Sequence, residues 1–294
     1  MVALSLIYLV VASGIMVWRQ VSVSPDYIFL LMVPVALLAG RLTRFLRDWV
    51  PFIAILLGWE AMRGIAPKLG VAPHVGDLAH LETGLFFGHL PTSVLQSWVG
   101  AGALHTVGLI ATATYFSHFA LPLAVGLVLW LSHRTQFLRF TTALMGMAFA
   151  AFIIYLLAPT APPWYAQDQG AICCFNHIIY NLFQELQPHQ TPIYQLLNPN
   201  QVAAFPSLHA AFPFLAFLAV RGVYPRAAWI VLGWCFIIWF SVVFLGEHYV
   251  VDVLGGIVLA TLAWTAMMRL AVPRIRLFQV PPTVAASDVV AEVT

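Results

Sequence analysis

The chain has 294 residues, of which 62% are hydrophobic and 8% charged, and its formal net charge is +2. So little polar surface excludes a soluble globular domain, and a charge this close to zero gives no footprint for nucleic acid. Apolar runs recur at lengths able to cross a hydrocarbon core of about 30 Å, which identifies an all-α, polytopic membrane helical bundle.

In chain order, the runs predict about eight transmembrane helices, near residues 2–18, 27–40, 49–63, 105–132, 138–158, 205–220, 227–244 and 249–268. The first begins at the initiator Met without a basic flank and has no small-residue cleavage site before Arg19, so it is expected to be retained rather than removed as a signal peptide. The second and third are short, and Pro34 is a candidate kink.

Arginines set the orientation. Arg41, Arg44 and Arg47 share one loop, Arg134 and Arg139 another, Arg221 and Arg226 a third, and Arg269, Arg274 and Arg276 the tail. Eight crossings put them all on one side, which the positive-inside bias makes cytoplasmic, with both termini there. Arg19, Arg63 and Lys68 are exceptions on the other side, where residues 159–204 contain no Lys or Arg. Two outer segments, "GDLAHLETGLFFG" and "NHIIYNLFQELQ", read equally well as amphipathic interfacial helices or as packed loops; in the second, Ile178, Ile179, Leu182, Phe183 and Leu186 form one stripe. Cys173 and Cys174 are adjacent and Cys235 lies in an apolar run, so no structural disulfide is expected.

Most histidines have ordinary settings: those at 74, 80, 89, 177 and 189 lie in polar or interfacial loops, and His133 borders a cytoplasmic loop. "GEHYVVDVLGG" differs, because His248 and Asp252 are four apart where an apolar span opens and share one helix face. A carboxylate beside an imidazole fixes its tautomer and stabilises its charged form, and an ionisable group inside a span is expensive enough to call for a functional partner. Gly255 and Gly256 continue that face and are expected to serve helix packing.

"AAFPSLHAAF" supplies a second histidine at the same outer level. Pro206 is expected in the first turn of a helix, Ser207 caps or lines it, and the following amides offer partial positive charge to an anion. His209, His248 and Asp252 together suit attack on phosphorus, with one imidazole attacking and the other protonating the departing oxygen.

These motifs, with "APTAPPWYA" upstream, resemble the type-2 phosphatidic acid phosphatase superfamily, most closely its inositol phosphorylceramide synthase-like branch. The resemblance covers residues 49–268 as a six-helix catalytic core, preceded by two additional helices in 1–48 and followed by a cytoplasmic tail, 269–294, expected to be disordered. It implies a nucleophilic His248, an orienting Asp252 and a general acid at His209. It also implies a head-group site that includes Ser207, Pro163, Trp164, Tyr165 and Ser241, with Pro162 beside them, and no metal or cofactor. The phosphatase branch carries basic residues in the first motif and an arginine after the serine of the last; here "APTAPPWYA" has none, and Val242 follows Ser241.

A phosphomonoester carries up to two negative charges and a phosphodiester one, so the missing cations favour a diester. The implied reaction moves a phosphoinositol head group from phosphatidylinositol to a lipid alcohol such as ceramide through a phosphohistidine, on the extracytoplasmic face. A lipid phosphatase acting on phosphatidate or polyprenyl phosphate is the alternative, with Arg63 or Lys68 as substitute cations. A zinc-dependent hydrolase and a proton-coupled transporter rank lower, for want of an HExxH or Cys-rich motif and of a midplane site. His118 has two readings, one that approaches the same cleft and one as a buried, hydrogen-bonded histidine, and the second is the expectation. Glu60 and Arg63 are expected to pair, with no catalytic role.

Overall fold

The computed structural model describes residues 4, 7–12, 14, 25–64, 70–186 and 200–270. Among them the regular structure is helical, apart from isolated bridges that join His74 to Thr160 and Thr160 to Ala203. In chain order the helices are α1 (Pro25–Leu38), α2 (Leu42–Arg63), α3 (Asp77–Leu85), α4 (Pro91–Ser132), α5 (Arg134–Leu157), α6 (Pro163–Asp168), α7 (Ile178–Leu186), α8 (Leu208–Arg221), α9 (Pro225–Phe244) and α10 (Val250–Arg269). Of these, α4, α5, α9 and α10 are long and apolar enough to cross a membrane, and α1 and α8 contain shorter apolar stretches. Residues 4, 7–12 and 14 of the first expected span are helical. The remainder of that span, Lys68, His189 and the tail from 271 lie outside the described residues.

Several helices start earlier than hydropathy indicates. The third expected span starts at Leu42, because Asp48 is neutralised within the bundle: Arg134 holds it with a two-pronged contact at 2.7 and 2.6 Å, and the Trp130 indole donates to it at 3.0 Å. The fourth starts at Pro91 and breaks at Gly100, whose φ of 70° suits glycine. Pro91, Pro163 and Pro225 each occupy a first helical turn, where the missing N–H leaves no helical bond unmade. Pro206 does not: α8 begins after Ser207, whose Oγ accepts the Ala210 N–H at 3.3 Å, so Pro206 lies ahead of the cap and its carbonyl accepts the Tyr155 hydroxyl at 2.6 Å.

Helix α8 is the hub, packed against α4, α5, α9 and α10. One end of the bundle gathers basic and loop residues: Arg41 donates to the Leu131 carbonyl, Arg134 pairs with Asp48, and His133 packs on Tyr224. The opposite end gathers the C-terminus of α2 and the N-termini of α8 and α10. Both amphipathic segments are short helices there. In α7, Ile178, Ile179 and Leu182 are buried in a cluster with Ala111 and Tyr115. In α3 the buried face is Ala79 and Glu82.

One expectation fails in the connecting loop: Cys173 and Cys174 form a disulfide with each other. The chain turns sharply there, with Cys174 at a φ of 100°, which brings neighbouring side chains together. Because the bridge joins adjacent residues, it staples no distant segments. Cys235 is free and buried.

Candidate active site

Three short segments meet at the end of the bundle opposite the arginine-rich loops, and backbone hydrogen bonds hold them. Thr160, from "APTAPPWYA", donates its N–H to the Val202 carbonyl at 2.9 Å and accepts the Ala204 N–H at 3.1 Å; its hydroxyl accepts the Phe205 N–H at 2.8 Å. Trp164 donates its backbone N–H to Gly246 at 3.0 Å, which ties the same segment to "GEHY". Ser207 donates its N–H to the Asp252 carbonyl at 3.0 Å. Gly255 and Gly256 serve the packing expected of them: a β-carbon at 255 would overlap the Phe205 ring, and one at 256 the Ser207 carbonyl.

This scaffold brings His209 and His248 together through their ring nitrogens, with His209 Nδ1 2.9 Å from His248 Nε2. Behind His248, the Asp252 Oδ2 atom lies 3.4 Å from Nδ1, within ion-pair range though not aligned as a hydrogen bond. The same oxygen accepts the Tyr249 N–H at 2.8 Å, which locks the carboxylate at the start of α10. With Asp252 facing Nδ1, the proton of a neutral His248 belongs on that nitrogen, which leaves the Nε2 lone pair directed at His209. His209 Nδ1–H then donates to it.

His118 is the buried, hydrogen-bonded histidine that was expected, and it packs against His209. It is buried, with Nδ1–H donating to the Tyr115 carbonyl at 2.8 Å, and its ring centroid lies 4.0 Å from that of His209. Tyr115 also stacks on His209, with centroids 4.3 Å apart, and its ring lies 5.8 Å from that of His118. The ring of His209 is therefore held by two aromatic neighbours that also pack on each other.

The cleft beside the pair is lined by Arg63, Tyr115, Pro162, Gln201, Ala204 and Glu247 together with both histidines. Its free volume is about 30 Å³, room for a water or two, so a lipid head group must widen it. Separating the two imidazoles would do so.

Other anticipated residues stand apart from this cleft. Ser207 is fully buried and occupied as the cap of α8; Ser241 donates its hydroxyl to Ile237 at 2.8 Å inside α9. Pro163 and Trp164 are buried, with Trp164 stacked on His177 at 5.0 Å, and Tyr165 packs edge-on against Trp164. Of the "PPWY" group it is Pro162 that reaches the cleft.

Two carboxylates escaped assignment from sequence. Glu247 lines the cleft, with His177 Nε2 3.7 Å from its Oε1 atom. It stood in view within "GEHY", but nothing in the spacing distinguished it. Glu82 is fully buried on α3 and accepts the Val251 N–H at 3.2 Å, which satisfies a first-turn amide of α10. Burial pushes its carboxyl up to about 7, opposed by the Val251 hydrogen bond and reinforced by the negative charge of Asp252. No three or more His, Cys, Asp or Glu side chains are grouped to hold a metal among the described residues.

Comparison with known proteins adds a family and relatives. The family model described as "PAP2 superfamily" matches residues 76–266. The chain is 30% identical over 229 residues to a phosphoinositol dihydroceramide synthase of Bacteroides thetaiotaomicron, covering 73% of this chain and 74% of that protein. It is 26% identical over 166 residues to the inositol phosphorylceramide synthase catalytic subunit aur1 of Schizosaccharomyces pombe, covering 54% of this chain and 39% of that protein. The corresponding Candida albicans inositol phosphorylceramide synthase is 26% identical over 160 residues, 49% of this chain and 32% of that protein. No solved structure matched the chain.

Proposed function

Because this chain belongs to the PAP2 superfamily, and is thus an integral membrane enzyme of the lipid phosphotransferase and phosphatase kind, we propose that it transfers a phospho-head group between lipids. The donor is phosphatidylinositol and the acceptor a lipid alcohol of the ceramide type. The observation that carries this reading is the opposition of His209 and His248 across one cleft, 2.9 Å apart, with Asp252 behind the second. The names of the relatives supply the head group and acceptor class.

In the first half-reaction His248 Nε2 attacks the phosphorus, the P–O bond to diacylglycerol breaks, and protonated His209 gives its proton to the departing alkoxide. In the second, His209 takes the proton of the acceptor hydroxyl, the new oxygen attacks phosphorus, and the P–N bond returns its electrons to His248. Asp252 stabilises the imidazole while it carries positive charge. The direct contact between the histidines occupies the nucleophilic lone pair, so the incoming phosphodiester must part them. The basic loops at the other end of the bundle favour an extracytoplasmic position for the site.

Arg63 in the cleft gives some weight to a second reading, hydrolysis of a lipid phosphate, because a cation is present after all. Incubation with inositol-labelled phosphatidylinositol and a set of lipid alcohols separates the two. Transfer yields a labelled lipid whose mobility follows the acceptor. Turnover of phosphatidate to free phosphate, with no labelled lipid from phosphatidylinositol, would refute transfer.

A further inference from the structure

The motifs lack the basic residues expected to hold a phosphate, yet a cation reaches the cleft from outside the segment that the family model matches. Arg63 is the last residue of α2, ahead of residue 76 where that match begins, and it lines the cleft with His209 and His248. Its guanidinium lies over the Trp59 ring, 5.4 Å from the centroid, and Trp59 is itself fixed by donating to the Ala148 carbonyl at 2.9 Å. One terminal nitrogen donates to Glu60 Oε2 at 3.0 Å, which leaves the guanidinium only partly used. Its Nε is buried with no partner among the described residues, as is Glu60 Oε1.

A buried, unpartnered N–H on a permanent cation costs free energy unless something occupies it. A guanidinium presents donors on two edges, so it can donate to Glu60 from one and to an anionic oxygen from the other. We propose that Arg63 is the phosphate-binding cation of this site, holding a non-bridging oxygen of the donor phosphodiester while His248 faces the phosphorus. Glu60 is its positioning partner: it aims the guanidinium, and Trp59 supports it from below. A single cation matches the single charge of a diester. The inference rests on the phosphodiester reading given above for this site, and the test is arranged so that the two can fail separately.

The test uses the full chain carrying His248→Ala, so that no head group is transferred, and titrates fluorescent phosphatidylinositol, phosphatidate and diacylglycerol in detergent micelles. Adding Arg63→Gln is expected to weaken phosphatidylinositol binding roughly tenfold or more and to leave diacylglycerol binding unchanged. Arg63→Lys keeps the charge but not the fork, and restores part of the loss. Glu60→Gln keeps an oxygen that can aim the guanidinium but removes its charge, and is expected to weaken phosphatidylinositol binding less than Arg63→Gln does. Unchanged phosphatidylinositol affinity in Arg63→Gln overturns the assignment. So does a loss that extends to diacylglycerol, because it marks Arg63 as a structural residue. If phosphatidate alone binds and its binding depends on Arg63, the head-group reading falls and the role of Arg63 stands.

Discussion

The backbone carbonyl of Asp252 accepts the N–H of Ser207 at 3.0 Å, so the cap of the helix that carries His209 is bonded directly to the helix that carries Asp252. The distance between the two histidines is therefore set by main chain, and it depends on how closely α8 and α10 approach.

That dependence can be probed at Gly256, where a β-carbon would overlap the Ser207 carbonyl, a backbone atom that cannot rotate away. Gly256→Ala is expected to push α8 from α10, destabilise the protein by about 1–3 kcal/mol and lower activity by up to about a hundredfold. Thermal unfolding and turnover measured on one detergent-purified sample check both.

The two histidines should fail differently. His248→Ala is expected to abolish transfer. His209→Ala is expected to slow it by about 10²–10⁴ with a natural lipid donor, since proton delivery to the alkoxide is lost. A donor with a nitrophenolate leaving group needs no such proton, so assays of nitrophenolate release should show the first half-reaction largely rescued in His209→Ala and not at all in His248→Ala. Transfer to the acceptor should stay impaired in both, because His209 also takes the acceptor's proton.

Glu82 should make stability depend on pH. Its folded carboxyl titrates near 7 against a usual value of 4.5 because burial favours the neutral form. Between those values the unfolded chain has released the proton that the folded chain still holds, so stability declines as pH rises from about 4.5 to about 7 and levels off above. Glu82→Gln keeps an acceptor for Val251 N–H and removes the ionisation. Melting temperatures from pH 5 to 7.5 should fall less in Glu82→Gln than in the parent.

At the far end of the bundle, Asp48→Asn weakens the fork with Arg134 and the contact with Trp130. Because Arg134 is partly exposed, the expected loss is about 1–3 kcal/mol rather than that of a fully buried pair. Activity per folded molecule should not change. Chemical unfolding alongside initial rates tests the separation.

His209, His248 and Asp252 were legible in the sequence because polar groups at the mouths of apolar spans are costly and few, and the bilayer period shows which of them share a side. The helical architecture was legible for the same reason. The start of α2 was not, since the charges of Asp48 and its arginine neighbours broke the apolar run while their compensation, Arg134, lay in another helix. Glu82 was hidden similarly: its partner Val251 is 169 residues away, and nothing local in "HLETG" marks the glutamate as buried. Ser207 and Ser241 show the reverse case, hydroxyls whose position beside the motifs invited a binding role and whose contacts are internal to their helices. Arg63 read both as one half of a helical ion pair, which it is, and as a substitute cation for a phosphate; the folded chain brings it to the two histidines.

The most direct measurement is to trap the covalent enzyme. The full chain is mixed with phosphatidylinositol labelled in the inositol ring, without acceptor, and quenched in alkali, where a phosphohistidine survives. Digestion and mass spectrometry are then run on the parent, on His248→Ala and on His209→Ala. The account predicts a phosphoinositol adduct on the peptide containing His248, absent in His248→Ala and discharged from the parent when a lipid alcohol is added. An adduct on another residue, or full turnover by His248→Ala, would contradict it.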